Sequence, residues 1–209
     1  MESTLKRTWA EIDLDALAHN YQTLRQRTGA RFVGVVKADA YGHGSVQVSR
    51  VLEELGADYL AVSSLDEAME LRAGGITMPI LILGHTPPER VEELLRYHIT
   101  QAVTCEAKAL EYSAEAVRCG GTLKVHIKVD TGMSRLGFLC GGDHFETGVA
   151  GICAACTLPG MEAEGIFTHF AVSDEADTES DAYTREQFDL FCRVIGAVEQ
   201  RLERRFPLR

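Results

Sequence analysis

The sequence predicts an α/β fold of the (β/α)8 TIM-type barrel class, with about six strand–helix units present. Apolar segments of strand length alternate with helical segments along the chain, which is typical of a parallel sheet with right-handed crossovers. Polar residues recur where the predicted strands end, and a barrel carries its active site at that face. No Gly-x-Gly-x-x-Gly follows the first strand, which disfavours a doubly wound sheet.

Six segments have the length and apolar character of buried strands. They are 32–38, 59–64, 79–84, 100–105, 123–130 and 161–170. The polar residues at their ends are Lys37, Ser63, Ser64, His85, Asp130, Thr131, Thr168 and His169. A short extended segment, 9–12, precedes the first helix.

Helical periodicity occupies the intervals between these strands. Asp13 is placed as an N-cap, with apolar residues following at helical spacing up to Leu24. Pro87 and Pro88 are typical of a helix start. The other predicted helices are 45–55, 65–73, 106–119, 145–156 and about 180–204.

A complete barrel has eight strands and typically ~250 residues, so this chain of 209 residues is short for one. It ends at RRFPLR, where a seventh strand would begin. We therefore expect a fragment of a longer protein, forming one partial barrel domain over 1–209 with two unpaired strand edges. No linker or low-complexity stretch divides it.

The composition is that of a soluble globular protein, with 45% hydrophobic and 25% charged residues. A net charge of -10 argues against nucleic acid or an anionic membrane surface as a partner. No apolar run approaches the ~20 residues that span a bilayer, and the N-terminus lacks the apolar core of a signal peptide. We expect a cytoplasmic protein without membrane contact.

The six cysteines are scattered, as expected of reduced core thiols in a cytosolic protein. Cys153 and Cys156 have a suggestive spacing, but no second pair completes a zinc site. We expect them to be buried small residues of a helix and predict no metal.

Lys37 lies in FVGVVKADAYGHG, at the end of the most apolar predicted strand, 32–36. Desolvating an ammonium group there is costly, and burial favours the neutral amine that attacks carbonyl groups. Such a lysine suits a Schiff base. The alternative is a lysine that reaches solvent or pairs with Asp39.

HIKVDTGMSR places a polar set on one face of a predicted strand. Alternation puts Val125, Ile127 and Val129 on one face and His126, Lys128 and Asp130 on the other. Such a set indicates a strand that lines the site. Arg135 follows in the loop and has the fixed charge needed to hold an oxyanion.

The string VVKADAYGHG closely resembles the cofactor-lysine motif of the alanine racemase family, whose members use pyridoxal 5'-phosphate. AEIDLDALAHNY (10–21) resembles the family's N-terminal segment, HIKVDTGMSRLGF (126–138) a second signature and GIFTHFAVSDE (165–175) a third. Other pyridoxal-phosphate barrels, such as amino-acid decarboxylases, also carry a first-strand lysine but are not expected to continue with ADAYGHG.

The resemblance implies a role for each matching residue. Lys37 would be the catalytic residue and form a Schiff base with pyridoxal 5'-phosphate, and Tyr41 would bind the phosphate. Arg135 would contact the cofactor's phenolic oxygen and the substrate, and Leu83 would line the substrate pocket. His169 would help order an arginine that faces the pyridine nitrogen.

Lys128 matches a lysine that is carbamylated in some family members. The resemblance thus implies a possible negative charge that supports Arg135. A simple salt bridge between Lys128 and Asp130 is the alternative.

The function implied is interconversion of L- and D-alanine for peptidoglycan synthesis by a homodimer. The family's second base is a tyrosine from the partner's C-terminal β domain, which this sequence lacks. We therefore expect the fragment to be inactive, and to be a monomer or a non-native association. Serine or another small amino acid as substrate, and a non-catalytic pyridoxal-phosphate-binding protein, are the alternatives.

Overall fold

The computed structural model of the chain describes residues 8–209. The chain divides into two compact units, the first ending at Ile80 and the second spanning Leu81–Arg209. The prediction of one domain over 1–209 stays a prediction. Within the described residues, every helix is too short or too polar to cross a membrane.

Strands and helices alternate along the described chain, and the sheet has seven strands. The strands are β1 (Val33–Val35), β2 (Tyr59–Val62), β3 (Ile80–Ile82), β4 (Ile99–Val103), β5 (Leu123–Asp130), β6 (Phe138–Leu139) and β7 (Met161–Phe167). The α-helices are α1 (Leu14–Thr28), α2 (Lys37–Gly42), α3 (Ser45–Glu54), α4 (Leu65–Ala73), α5 (Val91–Arg96), α6 (Glu106–Arg118), α7 (Phe145–Cys156) and α8 (Thr178–Leu202). The predicted parallel α/β class is confirmed.

In the first unit, β1 pairs in parallel with β2, with Gly34 opposite Leu60. The prediction that the whole segment 32–36 is buried is wrong, because Val33 and Val35 are 45% and 42% exposed. Successive strand side chains point to opposite faces, and only the face of Gly34 packs on α3. A Cβ at Gly34 would lie 2.5 Å from Leu52 Cδ1, so α3 packs directly on the strand backbone.

In the second unit, β5 is the central strand. It pairs in parallel with β4 and with β7, and its last residues pair with the short strand β6. All residues of β5 except Lys124 are buried. Two polar side chains near its carboxyl end, Lys128 and Asp130, are therefore buried.

Several boundaries differ from the sequence prediction. The segment 9–12 forms no strand within the described residues, and β1 ends at Val35 because the chain turns at Lys37. β7 ends at Phe167, before the predicted end at 170. Pro88 opens a short 3-10 helix that leads into α5. The prediction of an Asp13 N-cap is confirmed, since its side chain accepts from Ala16 N–H at 2.9 Å.

The cysteines divide between core and surface. Cys140 and Cys156 are buried, whereas Cys105 and Cys192 are exposed, so the prediction of six core thiols is wrong for the exposed pair. Cys105 caps α6 and Cys192 lies on the surface of the long helix α8. Cys153 and Cys156 lie on α7, as the sequence predicts, but only Cys156 is buried, so the prediction of burial is wrong for Cys153.

Candidate active site

Lys37 is placed where β1 gives way to a tight turn. The N–H of Val36 donates to the carbonyl of Ala61 at 2.8 Å, which ties the residue before the lysine to β2. Lys37 is half-buried, and its Nζ lies 6.0 Å from the centroid of the Tyr41 ring. The sequence prediction of a strand-end lysine is confirmed by this placement.

Asp39 does not neutralise Lys37. Its Oδ1 accepts a hydrogen bond from the N–H of Ser45 at 2.7 Å, at the start of α3. Within the described part of the first unit, no carboxylate forms an ion pair with Lys37. The alternative of a Lys37–Asp39 pair is therefore wrong, and the amine is available to a ligand.

The turn after Lys37 has an unusual backbone. The four residues from Ala38 to Tyr41 all have left-handed conformations, with φ between 50° and 57°. None is glycine, and this conformation costs roughly 1–2 kcal/mol per residue. Strain of this kind clusters at functional sites, where surrounding contacts hold it in place.

Tyr41, the last residue of this turn, is 62% exposed. It contributes to the wall of a cavity of about 460 Å³ in the first unit, which is also lined by residues 11–13, by α1, by Val35 of β1 and by α3. His43 and Asn20 add polar atoms to the lining. The phenol is thus accessible beside the lysine.

Lys128 is the buried cation of the second unit, at 8% exposure. Its Nζ lies 5.1 Å from the centroid of the Phe167 ring. Burial lowers the pKa of Lys128 from 10.5 to about 8; the carboxylate of Asp130 opposes this shift and the charge of Arg135 adds to it. Within the described part of the second unit, Lys128 forms no salt bridge with Asp130, so that alternative is wrong.

Asp130 instead organises the loop that carries Arg135. Its Oδ1 accepts from the N–H of Gly132 at 2.9 Å and from the N–H of Ser134 at 3.0 Å. Ser134 has φ 57°, so this hydrogen bond holds a left-handed residue directly before Arg135. The guanidinium of Arg135 is exposed and close enough to lower the pKa of Lys128.

A chain of hydrogen bonds joins the ends of β5 and β7. Gln187 Nε2 donates to Thr131 Oγ1 at 3.4 Å, Thr131 and Thr168 share a hydrogen bond of 2.8 Å, and Thr168 donates to the carbonyl of Val129 at 3.0 Å. Gln187 is only 1% exposed. This network fixes the residue that precedes His169, which is itself exposed.

The predicted site residues thus fall into two groups. Lys37 and Tyr41 lie together in the first unit, and Lys128 and Arg135 lie together in the second. Leu83 directly follows β3 and is half-buried, and His169 lies two residues beyond β7. Their ligand-binding roles stay predictions.

Sequence analysis missed two residues that support these groups. Gln187 gives no sequence signal, since it is one of many polar residues in the predicted helix 180–204. Glu67 has a partial sequence signal, the Ser64-x-x-Glu67 spacing of a helix capping box.

Comparison with known proteins relates the whole described fold to one family. The family model described as "Alanine racemase, N-terminal domain" matches residues 12–209. The alanine racemase of Desulfovibrio desulfuricans is 46% identical over 193 residues, which is 91% of this chain and 50% of the relative. That of Clostridium tetani is 44% identical over 198 residues, covering 94% and 49%.

Solved structures give the same relationship. The alanine racemase of Clostridium difficile 630 in complex with cycloserine has a TM-score of 0.86 at 36% identity, covering 99% of this chain and 55% of that one. The Bacillus anthracis alanine racemase with bound L-Ala-P has a TM-score of 0.83 at 32% identity, covering 99% and 52%. The chain spans about half the length of the curated relatives it matches.

Proposed function

The chain belongs to the alanine racemase N-terminal domain family, and on this premise we propose that it is the cofactor-binding part of an enzyme that interconverts L- and D-alanine. The observation that carries the proposal is Lys37, a strand-end amine without a carboxylate partner in the described first unit, next to a strained turn. The whole enzyme's homodimer, and its place in peptidoglycan precursor synthesis, are part of the proposal.

The donor set suits pyridoxal 5'-phosphate. The primary amine of Lys37 matches an aldehyde, while the phenol of Tyr41 and the guanidinium of Arg135 match anionic oxygens. In the proposed site the amine of Lys37 would hold the cofactor, the phenol of Tyr41 would bind its phosphate and the guanidinium of Arg135 would bind its phenolic oxygen. His169 would help order the side chain that binds the cofactor's pyridine ring.

When bound, the cofactor supplies an electron sink for the negative charge that develops at the substrate's Cα. The work left to this chain is positioning and proton transfer. Lys37 Nζ would take and return the substrate's Cα proton on one face. Arg135 holds the substrate on its polar side, and Leu83 forms an apolar wall that suits a methyl group.

Racemisation also needs a base on the opposite face of Cα. We propose that this base is a tyrosine of the partner subunit in the intact dimer, as the family resemblance implies. A chain with Lys37 alone would then exchange the Cα proton of one enantiomer without inverting it.

We further propose that Lys128 is carbamylated. Its lowered pKa of about 8 leaves a larger fraction of the amine neutral near physiological pH than the ordinary pKa of 10.5 would. The neutral Nζ would attack the carbon of CO2 and release a proton, forming a carbamate. The side chain's charge would change from positive to negative, which would attract the nearby guanidinium of Arg135.

Deuterium exchange tests the proposed reaction. The chain is incubated in D2O with pyridoxal 5'-phosphate and either L- or D-alanine, and Cα exchange is followed by proton NMR. We expect one enantiomer to exchange faster than with free cofactor, and Lys37→Ala to remove the excess rate. Excess exchange that persists in Lys37→Ala would overturn the role of Lys37. Serine run in parallel reports the side-chain preference.

A further inference from the structure

The left-handed turn of residues 38–41 needs a source of support. Backbone hydrogen bonds run from the N–H of Ala40 to the carbonyl of Val36 at 2.9 Å, from that of His43 to the carbonyl of Ala40 at 3.2 Å, and from that of Gly44 to the carbonyl of Asp39 at 3.0 Å. These close the turn on itself but do not fix its first residue, Ala38. The orientation of Lys37 depends on that residue, since the two share a peptide bond.

Glu67 supplies the missing contact. Its Oε1 accepts a hydrogen bond of 2.8 Å from the N–H of Ala38, 29 residues earlier in the chain. Its Oε2 accepts from both the N–H and the hydroxyl of Ser63, at 2.7 and 2.8 Å. One carboxylate therefore ties the segment after β1 to the segment after β2, within the first unit.

The charge state of Glu67 suits this role. Burial alone would raise its pKa, but the hydrogen bonds from Ala38, Ser63 and Ser64 outweigh burial and lower the pKa below its ordinary 4.5. Glu67 is therefore a carboxylate at neutral pH. Hydrogen bonds to a charged acceptor are roughly twice as strong as neutral ones.

Helix capping accounts for only part of this arrangement. Ser64 is the N-cap of α4, and its hydroxyl accepts from the N–H of Glu67 at 3.3 Å. In a capping box the glutamate bonds back to the cap residue's own backbone. A glutamate serving only the helix would have no need of Ala38, which lies outside it.

We propose that Glu67 is a positioning residue for Lys37: its carboxylate holds the strained turn in the one conformation that presents Nζ to the cofactor. The inference rests on the proposed role of Lys37 as the cofactor lysine. It adds a residue whose effect on the site is transmitted through the backbone of Ala38.

Glu67→Gln tests this with almost no change in size. The amide keeps one acceptor oxygen, so either Ala38 or Ser63 then faces an N–H group. The matched control is Glu70→Gln, on an exposed position of the same helix. Each protein is treated with pyridoxal 5'-phosphate, reduced with borohydride at set times, and digested, and the modified lysines are quantified by mass spectrometry.

The readout is the ratio of labelling at Lys37 to labelling at Lys124, an exposed lysine. General loosening of the fold changes the labelling of both lysines, whereas loss of positioning lowers the labelling of Lys37 alone. We expect Glu67→Gln to lower the ratio by up to about tenfold, as when a hydrogen bond to a charged acceptor is lost, and Glu70→Gln to leave it unchanged. An unchanged ratio in Glu67→Gln overturns the inference and leaves the proposed function standing.

If labelling of the wild-type chain shows no selectivity for Lys37, both the proposed function and this inference are wrong. If Glu67→Gln fails to fold, hydrogen exchange of the wild-type protein decides. We expect the amide of Ala38 to be protected, because Glu67 is its acceptor. Exchange at the rate of an open loop would overturn the inference without any variant.

Discussion

The Nζ of Lys128 lies 5.1 Å from the centroid of the Phe167 ring, so the carboxyl ends of β5 and β7 enclose an amine. Its surroundings favour the neutral form. The pKa falls from 10.5 to about 8, with burial as the largest cause and the charge of Arg135 as a further one. This relationship gives two predictions that need no cofactor.

The first concerns stability and pH. Between pH 8 and 10.5 the unfolded chain binds more protons at Lys128 than the folded chain does. The free energy of unfolding should therefore rise with pH across this window. Urea denaturation at several pH values should show the rise in the wild type and a smaller one in Lys128→Met. Lys124→Met is the control: Glu164 raises the pKa of Lys124, so removing it should not diminish the rise. Identical pH dependence in wild type and Lys128→Met would contradict the prediction.

The second concerns the carbamate. Protein equilibrated with 13C-bicarbonate should give a carbamate carbon signal by NMR, because the amine of Lys128 is partly neutral near its pKa of about 8. The signal should be absent in Lys128→Met and present in Lys124→Met. A wild-type spectrum without the signal would contradict the proposed carbamylation and would mean that Lys128 is an unmodified amine.

Gly137 should be essential to the loop that carries Arg135. It has φ 132°, and a Cβ there would lie 2.6 Å from the backbone nitrogen of Asp130. Gly137→Ala should destabilise the chain by roughly 1–3 kcal/mol, the cost of strained backbone. Gly141→Ala, where a Cβ meets nothing within 4 Å, is the matched control. Chemical denaturation measures both, and equal stabilities would show that the loop adapts without cost.

Gln187 should matter although it lies far along the chain from the site. Gln187→Leu removes the acceptor of the part-buried Ala171 N–H and one of the two hydrogen-bond partners of the Thr131 hydroxyl. A loss of about 1–3 kcal/mol is expected, visible as a lower urea midpoint. Glu186→Gln, exposed on the same helix, should have no effect. A stable Gln187→Leu protein would mean that the threonine pair holds the strand ends unaided.

Local patterns explain what could be predicted from the sequence. Helix α4 (Leu65–Ala73) lies where its periodicity and its Ser64 cap place it, since both signals are contained in a few residues. Lys37 and His169 each lie two residues beyond a strand, close to the predicted strand ends, and Arg135 lies in the loop after β5, as predicted, because the alternation of apolar segments locates the strands.

Features that depend on distant contacts could not be predicted. The residues Ala38 to Tyr41 are not glycines, so nothing local signals their left-handed backbone. The hydrogen bond from Ala38 to Glu67 joins residues 29 positions apart. Exposure of Val33 and Val35 likewise depends on which elements cover the strand, and an apolar run cannot report that.

The central claim is that Lys37 is the residue that binds pyridoxal 5'-phosphate, and one mapping experiment tests it most directly. The chain is mixed with the cofactor, reduced with borohydride, digested and analysed by mass spectrometry. The account predicts a stable adduct concentrated on Lys37, lost in Lys37→Arg. An adduct spread over exposed lysines with no preference for Lys37 would contradict it.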